Sequence, residues 1–149
     1  MVGSLPRPLW VRDVVYERKD GRMSEAEANH YFDAAIPAAI RMQERAGLDY
    51  VSDGEWRRES YVKVFAEAVG GFENDLILSG GTRAPNLMYP AVVRELQPRR
   101  PIAVDDAKFL RGQTESRTIV AVPSPYTIAC RMWSEEHSRD VYPTRDVFM

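Results

Sequence analysis

A helix that ends at Ala46, a turn at Gly47 and a short apolar strand feeding straight into a run of charge constrain this chain more than any other feature. The stretch reads Ala46-Gly47-Leu48-Asp49-Tyr50-Val51-Ser52-Asp53-Gly54-Glu55-Trp56-Arg57-Arg58. Gly47 can take the positive φ that closes a helix. Leu48, Tyr50 and Val51 supply strand propensity. Asp53, Glu55, Arg57 and Arg58 then crowd the point where the strand should stop. In parallel α/β folds, ligands bind at the carboxyl ends of strands. A solvated charged loop is the plain alternative.

The rest of the chain repeats the alternation of helix and strand. Leu9 to Glu17 predicts a short helix with Trp10, Val14 and Val15 partly buried. Ser24 and Glu27 form a capping-box pattern at the start of a stronger helix. Its apolar residues recur at Tyr31, Ala35, Ala38 and Met42, and at Phe32, Ile36 and Ile40. Pro37 removes one donor and should kink or split it. Ser60 to Val69 predicts a helix with Tyr61, Val64, Phe65 and Ala68 inward, stopped by Gly70-Gly71. Phe72 to Leu78 and Leu87 to Leu96 read as strands flanking a loop rich in Gly, Ser, Asn and Pro. Val104 to Gln113 reads as a helix whose N-terminus favours Asp105 and Asp106. Thr118-Ile119-Val120-Ala121-Val122 is apolar and β-branched, as a strand covered on both faces should be. Pro123-Ser124-Pro125-Tyr126 follows it, then a helix over Thr127 to Ser134. Tyr142-Pro143-Thr144 reads as a helix entry with Thr144 as cap.

Composition narrows the class. The chain has 149 residues, 44% hydrophobic and 28% charged, which is a globular balance with enough length for a core. A net charge of −2 gives no basic footprint for nucleic acid. No apolar run approaches the roughly 20 residues of a membrane span, and no basic-then-apolar leader opens the chain. A single cysteine excludes an internal disulfide framework. The expectation is a cytoplasmic protein with no nucleic-acid or membrane partner.

Three blocks carry a resemblance: Val2-Gly3-Ser4-Leu5-Pro6-Arg7-Pro8, the Ala46–Arg58 stretch, and the Thr118–Val122 strand with its Pro123-Ser124-Pro125-Tyr126 turn. Together they resemble the cobalamin-independent methionine synthase family, and the short single-barrel members in particular. The implied fold class is α/β, a partial (β/α)8 TIM barrel. Residues 1–149 would form roughly its N-terminal half, without a second domain, and the stretch from Phe72 to Met88 would be a hairpin or loop insertion. The resemblance implies zinc-dependent methyl transfer from methyltetrahydrofolate to homocysteine sulfur, in a parent protein that this chain only partly covers. A different thiol acceptor, such as coenzyme M, is the alternative within the family. A non-catalytic, truncated or partner-binding chain is the alternative outside it.

The resemblance also implies roles for particular residues. Gly3 and Ser4 would hold the carboxylate of a thiol amino acid, and Glu55 would accept its ammonium group in a charge-assisted hydrogen bond. Asp53 would orient the loop or back up Glu55. Arg57 and Arg58 would bind the folate's glutamate tail, or be ordinary solvated arginines. Trp56 would pack beneath the loop or simply cover it. Ser124 and Tyr126 would line the folate pocket, and Trp133 would stack on the pterin or sit in a helix core. The family's zinc ligands include a His-x-Cys pair and a second cysteine, in the C-terminal half of the barrel. This sequence has no His-x-Cys; its histidines are His30 and His137 and its cysteine is Cys130. Cys130 reads as a small core residue and the two histidines as surface residues. Zinc is therefore expected in the complete barrel and not in this chain alone, with no metal ligand and no catalytic residue assigned here. Thiol and folate substrates would meet the full-length parent. An open half-barrel exposes strand edges, so self-association or pairing with a complementing C-terminal half is expected.

Overall fold

The computed structural model describes residues 3–78 and 88–149. In chain order the elements are α1 (Leu9–Lys19), α2 (Glu25–Arg45), β1 (Tyr50–Val51), α3 (Lys63–Ala68), β2 (Val69–Leu78), β3 (Met88–Pro98), α4 (Val104–Gly112), β4 (Arg117–Thr118), α5 (Pro125–Met132), α6 (Glu135–Ser138) and α7 (Arg145–Phe148). The fold is mixed α/β. The chain divides into two compact units, Met1–Tyr61 with Ala103–Ala121, and Val62–Ile102 with Val122–Met149. The Gly- and Pro-rich loop expected between the two hairpin strands, and Leu87 and Val2 with it, lie outside the described residues.

In the first unit, α2 begins as its sequence predicts. The Ser24 side chain accepts from the Glu27 N–H while the Glu27 carboxylate accepts from the Ser24 N–H, a complete capping box. The helix ends at Ala46 and Gly47 follows with φ +73. Of the two expected apolar faces, one is the core: Phe32, Ile36 and Ile40 are fully buried with Ala28, Ala35 and Ala39. Tyr31 and Met42 are exposed, because they lie at the flank of that face, beyond Ala35. Pro37 does not split α2, which runs unbroken through it. One missing backbone donor is tolerated because Ile36 and Ala39, on either side, are locked into the core. Val11, Val14 and Val15 from α1, Val51 from β1, Trp56 and Leu110 complete this cluster. Burying each large side chain contributes about 1.5–3 kcal/mol before chain entropy is counted. Trp10 is exposed, not partly buried, since Val11 takes the inward position on α1.

β1 and β4 pair in parallel, Tyr50 opposite Arg117 and Val51 opposite Thr118. The Ile119 N–H donates to the Val51 carbonyl at 2.9 Å and extends the ladder by one bond. The strand expected over Thr118–Val122 stops there. β1 is itself only two residues long, so it offers nothing further to pair with, and Ile119 and Val122 are exposed.

In the second unit, β2 and β3 form the expected antiparallel hairpin, with register irregularities between Gly70 and Phe72 and between Glu73 and Ile77. The helix expected over Ser60–Val69 is shorter, Lys63–Ala68, and Gly70-Gly71 belongs to β2 rather than to a helix stop. Pairing with β3 outweighs the weak strand propensity of the two glycines. Val64, Ala68, Tyr89, Ala91, Val92, Ile128, Ala129 and Met132 are buried in this unit. Phe72 makes edge-on contacts with Phe65 and Phe148, their centroids 5.8 and 6.4 Å away. The Thr144 hydroxyl caps α7 as expected, and Ser134 caps the short α6, which the sequence pattern did not suggest.

Candidate functional site

The loop leaving β1 is built from its own first residues. Gln43, buried on α2, bonds both sides of the Ser52 peptide: its Oε1 accepts from the Ser52 N–H at 3.0 Å and its Nε2 donates to the Ser52 carbonyl at 2.8 Å. The Ser52 hydroxyl accepts from the Gly54 N–H at 3.2 Å. Gly54 has φ +72, and a Cβ there would stand 3.1 Å from Leu5 Cδ1 and from the Trp56 ring, so glycine is required twice over. Its carbonyl accepts from the Leu5 N–H at 3.0 Å. Glu55 follows with φ +57, a left-handed backbone that glutamate rarely adopts.

Three groups hold Glu55 there. Asp53 Oδ1 accepts from the Glu55 N–H at 2.9 Å. Arg7 Nη2 donates to the Glu55 carbonyl at 2.7 Å and also to the Arg58 carbonyl. The Ser4 hydroxyl donates to Glu55 Oε2 at 2.9 Å. Glu55 is buried, while Ser4 is exposed. A carboxylate has about four acceptor positions, and Ser4 occupies one of them.

Charge around the loop is buried and paired. Burial pushes the Asp53 carboxyl above the ordinary carboxylate range; Asp106 and Glu55 push the same way, against the Glu55 N–H and Arg58. Asp53 Oδ2 is buried without a hydrogen-bond partner. Burial lowers the pKa of the Arg7 guanidinium, opposed by Glu55, Tyr16 and Asp53. Arg58 is buried, donates from Nη1 to the Ala121 carbonyl at 2.6 Å and lies 3.5 Å from Asp106. Arg57 bonds Asn29 at 3.1 Å and Asp33, with its guanidinium 4.6 Å from the Phe109 ring centre. Neither arginine is the solvated side chain that one reading of the sequence expected, because both are used to fasten the loop. Trp56 is buried in the core cluster beneath it.

Of the candidate site residues, the structure brings Ser4, Asp53 and Glu55 into one bonded group, with Arg57 two residues further along the same loop. Gly3, with φ +103, precedes Ser4. Ser124 and Tyr126 belong to the second unit. Ser124 is exposed and its hydroxyl accepts from the Thr127 N–H at 3.2 Å, capping α5. Tyr126 is exposed, and a hydrogen bond with Cys130 raises the pKa of its hydroxyl. Cys130 is half-buried rather than a core residue. Trp133 donates to the Tyr142 carbonyl at 2.9 Å, with the Arg145 guanidinium over its ring. His30 is exposed and His137 half-buried. Among the described residues, no three His, Cys, Asp or Glu side chains come together as a metal site. Among the same residues, no helix is long and apolar enough to cross a membrane.

Sequence reasoning gave no part in the site to Arg7, Gln43 or Asp106. Gln43 carried a signal: it is a polar residue on the buried stripe of Ile36, Ala39 and Ile40. Arg7 and Asp106 carried none, since their partners are far away in the chain.

The fold is that of a mixed α/β domain with a buried carboxylate fastened at a strand's end beside a serine hydroxyl. The chain belongs to the family described as "Cobalamin-independent synthase, Catalytic domain", which matches residues 1–139. The resemblance read from the three sequence blocks is thereby borne out. The methionine synthase of Saccharolobus solfataricus is 33% identical over 133 residues, covering 87% of this chain and 39% of that protein. The methionine synthase of Sulfurisphaera tokodaii is 32% identical over 133 residues, covering 87% and 38%. A B12-independent methionine synthase from Shewanella sp. W3-18-1, solved in complex with selenomethionine, superposes with a TM-score of 0.75 at 26% identity, covering 98% of this chain and 42% of that one. A putative vitamin-B12-independent methionine synthase from Listeria monocytogenes shares the fold at a TM-score of 0.64 and 20% identity, covering 89% of this chain and 38% of that one. The chain thus spans about two fifths of the length of these relatives.

Proposed function

We propose that this chain is the amino-acid-binding part of a thiol methyltransferase that makes methionine from homocysteine with a methylated folate as donor. The observation that carries this reading is the Glu55 carboxylate, fastened at a strand's carboxyl end with Ser4 donating to it at 2.9 Å. A carboxylate so placed complements the ammonium group of an amino acid. The Shewanella relative was solved in complex with selenomethionine, an amino acid that carries such an ammonium group. The fold proposed for the whole is a (β/α)8 barrel, of which residues 1–149 form roughly the first half, with β1 and β4 as parallel barrel strands and β2–β3 as an inserted hairpin.

Zinc would activate the thiol in the completed barrel by holding its sulfur as a thiolate. The described residues bring no three His, Cys, Asp or Glu side chains together and so do not fit that metal. In this proposal the chain's own work is to bind and orient the amino-acid end of the substrate in the cytoplasm. A second chain, or a second copy, covers the strand edges left open. Metal analysis and light scattering on the purified chain should find no stoichiometric zinc and an assembly larger than a monomer. One tightly bound zinc in a well-behaved monomer would contradict both statements.

The functional test is calorimetric titration of homocysteine and of coenzyme M into a barrel completed with the C-terminal portion of a relative. Homocysteine should bind, and Glu55→Gln should weaken it about ten- to hundredfold, the loss of a charge-assisted hydrogen bond worth roughly 1.5–3 kcal/mol. Coenzyme M has no ammonium group and should be indifferent to the change. Equal homocysteine affinity in wild type and variant would remove Glu55 from the site.

A further inference from the structure

Glu55 stands out from its surroundings in one respect: its backbone. Only it and Ala103 among the described non-glycine residues have positive φ. Such a conformation persists where the surroundings over-determine it, and it clusters at functional sites. Around Glu55 the bonds divide the task. Ser4 bonds the side chain, and Arg7 bonds the carbonyl. The N–H goes to Asp53 Oδ1, from a carboxyl that is itself buried and has no hydrogen-bond partner on its other oxygen. A buried carboxyl left half unsatisfied is costly, so the bond it does make must matter to the loop. Glycine, which would relax the backbone at position 55, cannot supply a carboxylate.

We propose that Asp53 is the positioning residue that holds Glu55 in its left-handed conformation, so that the Glu55 carboxylate meets the Ser4 hydroxyl. The loop then stores backbone strain at Glu55 for the sake of that carboxylate. This deepens the reading above and, for the identity of the ligand, rests on it; the backbone part does not.

The test is a thermal-unfolding cycle on the full chain. Glu55→Gly should melt about 2–4 °C above Glu55→Ala, because glycine alone adopts the left-handed backbone freely. Asp53→Ala should lower the midpoint more in the wild-type background than in the Glu55→Gly background, where there is less strain to restrain. Asp53→Asn, whose amide oxygen can accept the same N–H, should restore most of the loss. Failure of Asp53→Ala to fold only in the wild-type background supports the proposal equally. Glu55→Gly melting no higher than Glu55→Ala, or equal losses from Asp53→Ala in both backgrounds, would overturn it. A measurement that needs no variant is amide exchange: the Glu55 N–H should be protected in the wild type, and rapid exchange there overturns the proposal too. In the completed barrel, Asp53→Ala should weaken homocysteine about tenfold and Asp53→Asn far less. A cycle that comes out as expected while homocysteine fails to bind even the wild type keeps the positioning role and discards the ligand.

Discussion

The loop after β1 is tied to distant parts of the chain, whereas the turn that enters α5 is tied to itself. Glu55 and Arg58 are bonded by residues 51 positions earlier, Ser4 and Arg7, and Arg58 reaches Ala121, 63 positions later. Ser124 bonds Thr127, three positions on, and Tyr126 is exposed. Both segments are short, polar and placed after strand-forming sequence. The first has a shape that only the folded unit can give it. The second has the shape of any capped helix start and serves the helix. A residue held by remote partners is held in one geometry, which is what recognition of a small ligand requires.

The largest expected effect breaks the remote ties. Arg58→Ala removes a buried guanidinium and leaves Asp106 and the Ala121 carbonyl without it, and should cost about 3–5 kcal/mol of stability in denaturant unfolding. A loss below about 1 kcal/mol would mean the loop is held by its local bonds after all. Next comes Glu55→Gln, which in the completed barrel, on the proposed function, should cost roughly 1.5–3 kcal/mol of homocysteine affinity. Its stability should hardly move, since glutamine keeps the shape. Ser124→Ala should cost about 1 kcal/mol of stability, the ordinary value of a helix cap, and leave homocysteine affinity unchanged. A large binding loss there would restore Ser124 to the site.

The smallest effect is one of pH. The Asp53 pKa is raised in the folded chain, chiefly by burial, from an ordinary value of 3.8. The folded state therefore binds this proton more tightly than the unfolded state. Stability from Asp53 is fully present below the ordinary value and is lost as pH rises through the raised one. Comparing wild type with Asp53→Asn across that window should show the wild type losing ground as pH rises. A difference that stays flat, or grows in favour of the wild type, would show that Asp53 is not desolvated.

Much of this was legible in the sequence wherever the cause was local. The Ser24–Glu27 box, the Gly47 stop, the hairpin and the Phe32–Ile36–Ile40 stripe each depend on residues a few positions apart, and each was found. Glu55 and Ser4 were paired only through family resemblance; nothing within either segment announces the other. The extent of the strand after Arg117 was overestimated because propensity describes the strand and not its partner. Thr118–Val122 looks like a buried strand, but β1 is two residues long and cannot pair with all of it. Arg57 and Arg58 looked solvated because their partners, Asp33 and Asp106, lie elsewhere in the chain.

Gln43 has a consequence of its own for how the parallel ladder can grow. The N–H and carbonyl of one strand residue face the same edge, and those of the next residue face the other. The Val51 carbonyl faces β4, where it accepts from Ile119. The N–H and carbonyl of Ser52 face the other edge, and Gln43 occupies both, much as an adjoining strand would. A helix side chain thus impersonates one residue of a neighbouring strand. Any strand laid along that edge can pair with Tyr50 but finds Ser52 taken. Gln43 therefore closes the Ser52 position of the ladder to any strand laid along that edge.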